Sequence, residues 1–502
     1  MKATNPIYIG AIVLLSLMSL NCESTTEESS PAERPNIVLM IADDLSWDDL
    51  GAYGHPHVQT PNLDRMAQEG MLFNNAFLTT SSCSPSRSSI ITGQYPHNTD
   101  AEQLHWPLPA SQTTFTELLK DAGYWTAQAG KWHLGDDVRD RFDVIRDVGT
   151  IGFVLSPEGK DLPPEGDGSG CENWLSLLHD RPADQPFFLW LAAVDPHRVY
   201  EPGAIETPHT VDDVIVPPYM PDVQAVREDL ALYYDEISRL DQYVGSVLDE
   251  LESQGIADNT LVIFMSDNGR PFQRDKTTLL DGGIKTPLIV KWPARVAAGS
   301  ESNSMVSSVD LATTFLNLAG VDVPASFEGV DFSTILSDPA AEVRDHVYAE
   351  DHWHDHDDFG RAVRTKEFKL IRNFFPEHPN TPPADALNGP AFEATYQLYL
   401  AGELTDEQKV IFDEPRPEYE LYDVQADPYE MNNLAGDEAF SETLAAMKAQ
   451  LAEAREASGD KDPEFRTPDE FGRISGDPNE FRQRPRPSKQ EIRQLYLDSL
   501  EN

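Results

Sequence analysis

The chain has 502 residues, enough for a large core and two domains, and its 86 Asp and Glu against 38 Lys and Arg give a net charge of −48. This charge repels the phosphate backbone that nucleic-acid-binding proteins neutralise, so nucleic acid is not expected as a partner. An anionic substrate is compatible with the sequence only if the site concentrates the few cations locally.

The N-terminus has the features of an export signal. A basic residue precedes the apolar run 7–20, which is too short to span a membrane comfortably, and Cys22 follows it directly. Residues 1–21 are therefore predicted to be a signal peptide, and residues 22–34, rich in Ser, Thr, Glu and Pro, a linker. A cysteine directly after such an apolar run resembles the cleavage site of a bacterial lipoprotein signal peptide. We expect a periplasmic or cell-surface protein lipidated at Cys22, with simple secretion as the alternative.

Four continuous apolar segments are typical of strands buried on both faces. Three of them end in polar residues, and because parallel strands present their carboxyl ends at one edge of a sheet, a site along that edge is predicted. The segments are 36–42 before Asp43 and Asp44, 187–194 before Asp195 and His197, 260–265 before Ser266, Asp267 and Asn268, and 287–291.

Helical signals lie between these strands. Pro61 suits a first helical turn and Gly70 a helix end, while Thr114 and Glu117 have the spacing of a capping box. The apolar spacing over residues 228–254 predicts the longest helix. Alternating strands and helices indicate an α/β fold with a mostly parallel central sheet sandwiched by helices.

The composition changes after about residue 345, which predicts a second domain. Residues 35–345 form the larger predicted domain and 346–475 a smaller α+β domain, and 476–502 is a C-terminal extension expected to wrap back on the surface. The second domain begins near a His- and Asp-rich stretch, 351–358, expected to be a solvated loop, with binding of a transition metal as an alternative.

An exported protein normally pairs its cysteines. With Cys22 assigned to lipid, either Cys83 and Cys171 form a disulfide, or Cys83 is a reagent and Cys171 a free thiol. The surrounding motif, Cys83-Ser-Pro-Ser-Arg87 continuing to Thr92-Gly93, favours the second reading, because a disulfide or a plain helix start assigns no role to Arg87. This motif resembles the C-x-P-S-R-x-x-x-x-T-G signature of the type I sulfatases, a family within the alkaline-phosphatase superfamily.

The resemblance implies that a formylglycine-generating maturase oxidises Cys83 to formylglycine. In the family, one hydroxyl of the hydrated aldehyde attacks sulfur, and the other, once deprotonated, expels sulfate. A serine or cysteine ester would need a separate hydrolysis.

Two predicted strand ends carry candidate metal ligands. Asp43, Asp44, Asp267 and Asn268 offer hard oxygen donors suited to Ca²⁺ or Mg²⁺. An Asp-Asp pair after a strand is by itself more often a helix cap. The resemblance implies that these residues bind one Ca²⁺ ion, with the formylglycine from Cys83 as a further ligand.

The segment Gly130-Lys-Trp-His-Leu-Gly135 matches a second signature of the family. The resemblance implies that Lys131 holds the alkoxide and that His133 takes the proton that triggers release of sulfate. His197 matches the histidine that protonates the leaving sugar oxygen. Lys276 matches the sulfate-binding lysine and is preferred to Lys285, because it stands six residues before a Gly-Gly pair. Arg87, Lys131 and Lys276 together would neutralise the charge of the transferring sulfate.

A third signature, Tyr419-Glu-Leu-Tyr-Asp423, extends the resemblance over residues 35–460. Motifs near 267–272 and 282–287 resemble the branch with heparan N-sulfatases and bacterial polysaccharide sulfatases. The implied substrate is a sulfated carbohydrate, and the exported, acidic chain favours an algal polysaccharide such as ulvan. Candidate substrate-binding side chains have rings suited to sugar faces and hydroxyls. They are His105, Trp106, His352 and His354.

Two other functions compete with a sulfatase. A phosphatase or phosphodiesterase of the same superfamily normally has a Ser or Thr nucleophile and two zinc ions, which the motif at Cys83 does not fit. An inactive glycan-binding surface lipoprotein should lack a metal or nucleophile residue, and the sequence retains all of them.

Overall fold

The computed structural model describes Met1 and residues 34–148, 167–483 and 486–500. Apart from Met1, the predicted signal peptide lies outside the described residues, and so does Cys22. Residues 34–502 belong to one compact unit. Over the described ranges, no helix is both long enough and apolar enough to cross a bilayer.

A central sheet of eight strands organises the described residues, in the order β4-β3-β5-β1-β6-β7-β2-β8. Only β7 among these strands runs against its neighbours, pairing antiparallel with both β6 and β2. The strands are β1 (Asn36–Ala42), β2 (Met71–Phe77), β3 (Trp125–Gly130), β4 (Val144–Asp147), β5 (Phe187–Ala192), β6 (Thr260–Ser266), β7 (Leu288–Lys291) and β8 (Ser300–Ser307).

Helices cover both faces of this sheet. Along β1, Val38 and Met40 pack into one apolar core with α1, α4 and α5. Ile37 and Leu39 point the other way, into a second core with α3 and α7, as the two-residue period of a strand requires. The helices are α1 (Pro61–Glu69), α2 (Cys83–Thr92), α3 (Phe115–Asp121), α4 (Trp174–Asp180), α5 (Gln224–Ser253), α6 (Asp281–Ile284), α7 (Asp310–Ala319), α8 (Ala384–Leu387), α9 (Pro390–Ala401), α10 (Ser441–Ser458) and α11 (Lys489–Leu500).

A smaller antiparallel sheet follows, in the order β12-β11-β10-β9. One of its faces packs on α10, through apolar residues such as Leu421 and Met447. The other face packs on residues of the larger sheet's region, including Phe77 and Ile284. The strands are β9 (His346–Asp351), β10 (Gly360–Thr365), β11 (Phe368–Asn373) and β12 (Tyr419–Asp423).

The C-terminal extension returns to the segment around residue 103. The Arg486 guanidinium donates to the Gln103 side chain (2.6 Å), and the Trp106 indole N–H donates to the Pro487 carbonyl (3.1 Å). Lys489 forms an ion pair with Glu102 at 2.9 Å. The extension therefore lies against the larger domain, as the sequence predicts.

The predicted fold class is confirmed, since a mostly parallel sheet between helices is followed by a small α+β unit. The long predicted helix begins earlier, at Gln224. The solvated-loop prediction for residues 351–358 is wrong, because His352, His354 and His356 are all buried. The domain boundaries stay predictions.

A buried ion pair joins His97 to Glu350 of β9 in the smaller sheet, and from it we predict that stability depends on pH. His97 Nδ1 lies 2.6 Å from the Glu350 carboxylate, which also contacts His352 Nε2 at 2.8 Å. Burial alone would lower the pKa of His97, but the Glu350 charge and hydrogen bonds outweigh it and raise the pKa to about 9. Because folding raises the pKa of His97, its protonated form stabilises the fold. This contribution is complete at pH values below the ordinary pKa near 6.5 and is lost as the pH rises through about 9.

The expected result is that His97→Gln destabilises the protein at pH 6 by on the order of 2 kcal/mol more than at pH 10. Urea unfolding of both proteins at the two pH values measures this difference. His346→Gln is the control, because His346 is partly exposed and pairs with the exposed Asp345. An equal loss at both pH values would show that the charge of His97 does not stabilise the fold.

Candidate functional site

The register of two parallel strands brings the predicted metal ligands together. Ala42 of β1 lies opposite Ser266 of β6, so the next residues, Asp43 and Asp267, leave the same edge of the sheet side by side. The Asp267 backbone N–H donates to the Ala42 carbonyl at 3.1 Å, which continues the pairing past the strand ends. Adjacent parallel strands thus position carboxylates that are more than 220 residues apart in sequence.

Cys83 is the first residue of α2 and points at these carboxylates. Its Sγ lies 3.5 Å from Asp43 Oδ1 and 3.8 Å from Asp44 Oδ1. Leu104 and Trp353 pack against the buried side chain. Burial, followed by the charge of Asp43, raises the pKa of the thiol well above its ordinary value, so the unmodified cysteine stays protonated and is a poor nucleophile.

Arg87 lies one helical turn after Cys83 and is completely buried. Its Nε donates to Asp267 Oδ2 at 2.8 Å, an Nη atom lies 3.4 Å from Asp43 Oδ2, and another donates to the Lys131 carbonyl at 3.2 Å. These contacts hold one fixed positive charge against two strand-end carboxylates, as a buried guanidinium requires.

Two lysines complete the group of cations. Lys131 follows β3 and its ammonium pairs with Asp43, while Lys276 Nζ lies 2.8 Å from Asp44 Oδ2. Burial alone would lower the pKa of both lysines, but the neighbouring carboxylates outweigh it and raise both values. Both side chains are therefore charged.

His197 follows β5, the strand on the other side of β1. Its Nδ1 contacts the Arg198 carbonyl at 2.5 Å, so Nδ1–H is the donor and Nε2 faces the cluster. That Nε2 lies 3.7 Å from Asp44 Oδ2. Burial, assisted by Lys276, lowers the pKa of the ring.

His133 and His105 form a contact pair beside α2. Nε2 of His133 lies 2.8 Å from Nδ1 of His105, and the His105 backbone N–H donates to Ser84 Oγ at 2.8 Å. Burial, followed by the charge of Lys131, lowers the pKa of His133 well below its ordinary value, so its ring is neutral and can accept a proton.

The cluster contains oxygen atoms of the kind that a hard divalent cation prefers. Asp43, Asp44, Cys83 and His197 each offer a ligand atom within 4.8 Å of the others. Asn268 Nδ2 donates to Asp44 Oδ1 at 2.5 Å, whereas its Oδ1 is buried and accepts no hydrogen bond from the described residues. Burial raises the pKa of Asp44 to about 7. A cation held by oxygen ligands would satisfy the Asn268 oxygen and keep the carboxylates ionised.

Backbone strain concentrates at this site. Asp44, His105, His133 and Thr277 all have positive φ, between 54 and 70°. A β-branched residue such as Thr277 rarely adopts this conformation. Such strain persists where surrounding contacts hold a functional geometry.

The structure places one of the other predicted substrate-binding residues beside the cluster and two of them away from it. His354 lies beside the cluster, with Nδ1 2.8 Å from Ser82 Oγ. His352 instead belongs to the network of Glu350 and His97, and Trp106 is buried under the C-terminal extension. The role of each in substrate binding stays a prediction.

The structure also brings in a carboxylate that the sequence reading missed. Asp385 of α8 places Oδ2 3.5 Å from both Lys276 Nζ and His197 Nε2. It stands in a Pro-rich segment more than 100 residues from both Lys276 and His197, and the sequence carries no motif that identifies it.

The disulfide alternative for Cys83 and Cys171 is wrong, since both are free, buried cysteines. Cys171 Sγ contacts the Ser169 carbonyl at 3.4 Å. The role of Cys83 as a reagent stays a prediction.

Comparisons with known proteins agree with this geometry. The family model described as Sulfatase matches residues 35–321, and the model described as N-sulphoglucosamine sulphohydrolase, C-terminal, matches residues 272–381. An ulvan-active sulfatase of Formosa agariphila is 29% identical, over 87% of this chain and 77% of its own. The human N-sulphoglucosamine sulphohydrolase is 31% identical, over 83% of this chain and 89% of its own.

Solved structures share the fold. BT4656 in complex with its substrate D-glucosamine-2-N, 6-O-disulfate superposes with a TM-score of 0.64 at 23% identity, over 86% of this chain and 99% of that chain. The phosphonate monoester hydrolase of Agrobacterium radiobacter gives a TM-score of 0.62 at 20% identity, over 85% of this chain and 96% of that chain. The family model covers more than half of the chain and includes each residue of the cluster around Cys83, so this protein belongs to the sulfatase family of sulfuric ester hydrolases.

Proposed function

We propose that this protein removes sulfate from a carbohydrate, namely a sulfated polysaccharide such as ulvan or its oligosaccharides. The observation that carries the proposal is the buried convergence of Cys83 with the cations Arg87, Lys131 and Lys276. The similarity to an ulvan-active sulfatase supports the substrate class. An exported location and a lipid on Cys22 stay predictions from the N-terminal sequence.

Cys83 is proposed to be converted to formylglycine by a maturase. The conversion is a two-electron oxidation whose oxidant the maturase supplies: the carbon–sulfur bond breaks, the sulfur leaves as hydrogen sulfide, and water supplies the carbonyl oxygen. The aldehyde, once hydrated, supplies one hydroxyl that attacks sulfur and a second whose deprotonation releases sulfate. The position at the start of α2 places this group at the positive end of a helix dipole, which favours an anionic substrate.

The metal proposed for the site is one Ca²⁺ ion. Asp43, Asp44, Asp267 and Asn268 would hold it, together with the group derived from Cys83. When bound, such an ion acidifies a neighbouring hydroxyl and neutralises sulfate oxygens. The side chains of this chain perform the remaining steps.

The three buried cations bind and orient the sulfate. Arg87 is fixed by Asp267, whereas Lys131 follows β3 and Lys276 lies in the connection between β6 and α6. Three positive charges from different segments are therefore available to a bound sulfate. A fixed arrangement of charge needs no reorganisation as the sulfate transfers, and the low exposure of the site strengthens each interaction.

Two histidines are assigned the proton transfers. His133, neutral and held by His105, is positioned to take a proton on its ring. His197 directs Nε2 into the site, where the carboxylates of Asp44 and Asp385 face it, and the doubly protonated ring is assigned protonation of the leaving sugar oxygen from Nε2. His133 follows β3 and His197 follows β5, two neighbouring strands, so the two rings come from separate segments, which suits a base and an acid that act on different oxygens.

The test compares 4-nitrophenyl sulfate with 4-nitrophenyl phosphate. We expect kcat/KM for the sulfate to exceed that for the phosphate by at least about 100-fold, because one cluster of metal ligands is found among the described residues and the cations match a singly charged ester. Identical leaving groups make the two substrates matched controls. A preference for the phosphate would instead support the phosphatase alternative.

A further inference from the structure

Asp385 is an anion beside a site whose cations serve to bind an anion. Its Oδ1 accepts a hydrogen bond from the Ala386 backbone N–H at 2.7 Å, which fixes the side chain at the start of α8. The preceding residue is anchored as well, because the Ala384 N–H donates to Asp355 Oδ2 at 2.8 Å. The carboxylate is therefore held in place through Oδ1 by its own segment.

The other oxygen of Asp385 faces the cluster. Oδ2 lies 3.5 Å from Lys276 Nζ and 3.5 Å from His197 Nε2, longer than a good hydrogen bond to either, and it accepts none from the described residues. The side chain keeps 14% of its surface exposed, whereas Asp43 and Asp44 keep none. Asp385 is thus a partly exposed carboxylate at the edge of the site.

The charge of this oxygen opposes sulfate binding. Burial alone would raise the pKa of Asp385, but Lys276, His197 and Arg198 outweigh it and hold the pKa well below its ordinary value, so the group is an anion. A carboxylate next to the sulfate-binding lysine weakens attraction for any anion. Its presence is explained if it binds a different part of the substrate.

The position of His197 indicates which part. In the proposed reaction His197 Nε2 protonates the oxygen that leaves with the sugar, and Asp385 Oδ2 lies 3.5 Å from that nitrogen. In a sugar ring, a hydroxyl on the neighbouring carbon lies within hydrogen-bond reach of the ester oxygen. A carboxylate is a strong acceptor for such a hydroxyl and repels a second sulfate or a carboxylate there.

We propose that Asp385 is a specificity residue that accepts a hydrogen bond from a neutral or cationic donor group on the sugar carbon next to the scissile sulfate. This inference rests on the proposed function and names the substrate group recognised at that site. Asp385 selects carbohydrate sulfates with a free hydroxyl or ammonium group beside the ester. Aryl sulfates lack such a donor and make no hydrogen bond to it, so the weak repulsion of the sulfate is its one effect on them.

The experiment compares the wild-type protein with Asp385→Asn on two substrates. For ulvan oligosaccharides, we expect kcat/KM to fall about 30-fold, the range for loss of a charged hydrogen-bond acceptor. For 4-nitrophenyl sulfate, we expect a change below about 3-fold, because its chemistry uses the same cluster but offers no adjacent donor. Glu393→Gln, a loss of charge on the exposed start of α9, is the matched control and should change neither substrate.

Inhibition constants separate recognition from positioning. With 4-nitrophenyl sulfate as substrate, Asp385→Asn should raise the inhibition constant of the desulfated ulvan oligosaccharide about 30-fold and lower that of inorganic sulfate about 3-fold, because a repelling charge is removed. Opposite shifts support the proposal. Equal losses on both substrates, or weaker binding of both inhibitors, would show that Asp385 only positions Lys276 and His197, and unchanged values would also overturn the proposal.

The proposed function has its own distinct failure in this experiment. A wild-type protein that cleaves neither sulfate ester overturns the sulfatase proposal before any variant is compared. A wild-type protein that cleaves only the aryl sulfate overturns ulvan as the substrate class, and with it this inference.

Discussion

Replacing Cys83 by alanine is expected to lower kcat/KM for 4-nitrophenyl sulfate by about 10⁴-fold or more, the size of loss seen when a covalent nucleophile is removed. The reason is geometric, because Cys83 is the side chain at which Asp43, Asp44 and the start of α2 converge. The loss should fall on kcat, since the cations that bind the sulfate remain. Steady-state kinetics and a thermal melt of both proteins measure the effect.

Cys171→Ala is the matched control for this variant. Cys171 is also a free, buried cysteine, but its Sγ contacts the Ser169 carbonyl and not the cluster. We expect it to keep activity within about 3-fold, as a substitution outside a catalytic unit does. A Cys83→Ala protein that folds and retains full turnover would contradict the assignment of Cys83 as the nucleophile.

Removal of the divalent ion should abolish most of the activity and lower thermal stability. Asp43, Asp44 and Asp267 place three carboxylates together in the protein interior, and burial with mutual repulsion raises the pKa of Asp267 to about 6. We expect chelation to cut kcat/KM by at least about 10³-fold, and we expect Ca²⁺ at 100 times its Kd to add about 2.7 kcal/mol to the free energy of unfolding. Calorimetric melts during a Ca²⁺ titration provide the readout that does not depend on activity.

Asp44→Asn tests which residues produce this response. Asp44 has φ of 70°, a conformation that asparagine tolerates, so the variant removes the charge with little backbone strain. Asp100→Asn is the matched control, because Asp100 also has positive φ, at 57°, but is exposed and outside the cluster. We expect the calcium-dependent increase in thermal stability to be lost in Asp44→Asn and to be kept in Asp100→Asn. An unchanged shift in Asp44→Asn would remove Asp44 from the metal site.

The strands could be predicted because they are local signals. In the run 36–42, every residue after the first is apolar and buried. Alternate residues pack on opposite layers of helices, so both faces of the strand are covered. The site followed from the same signal, since polar residues after β1, β5 and β6 must meet where parallel strands end. The motif at Cys83 added the nucleophile, which the alternation of strands and helices does not identify.

The remaining features depend on contacts distant in sequence. The reversed direction of β7 is set by its pairing with β2 and β6, which no local pattern encodes. The His-rich stretch is polar by composition, but it is buried because Glu350, Ser82 and the C-terminal extension supply partners. Asp385 lies near the site only because the fold packs α8 beside Lys276. Composition alone therefore misassigned one loop and omitted one carboxylate.

The most direct test of the central claim is the mass of the peptide that contains Cys83, measured in protein co-produced with a formylglycine-generating maturase. The account predicts that residue 83 carries an aldehyde in place of the thiol, that a hydrazide reagent captures it, and that specific sulfatase activity rises in proportion to the captured fraction. Fully active protein in which residue 83 is entirely unmodified cysteine would contradict the account.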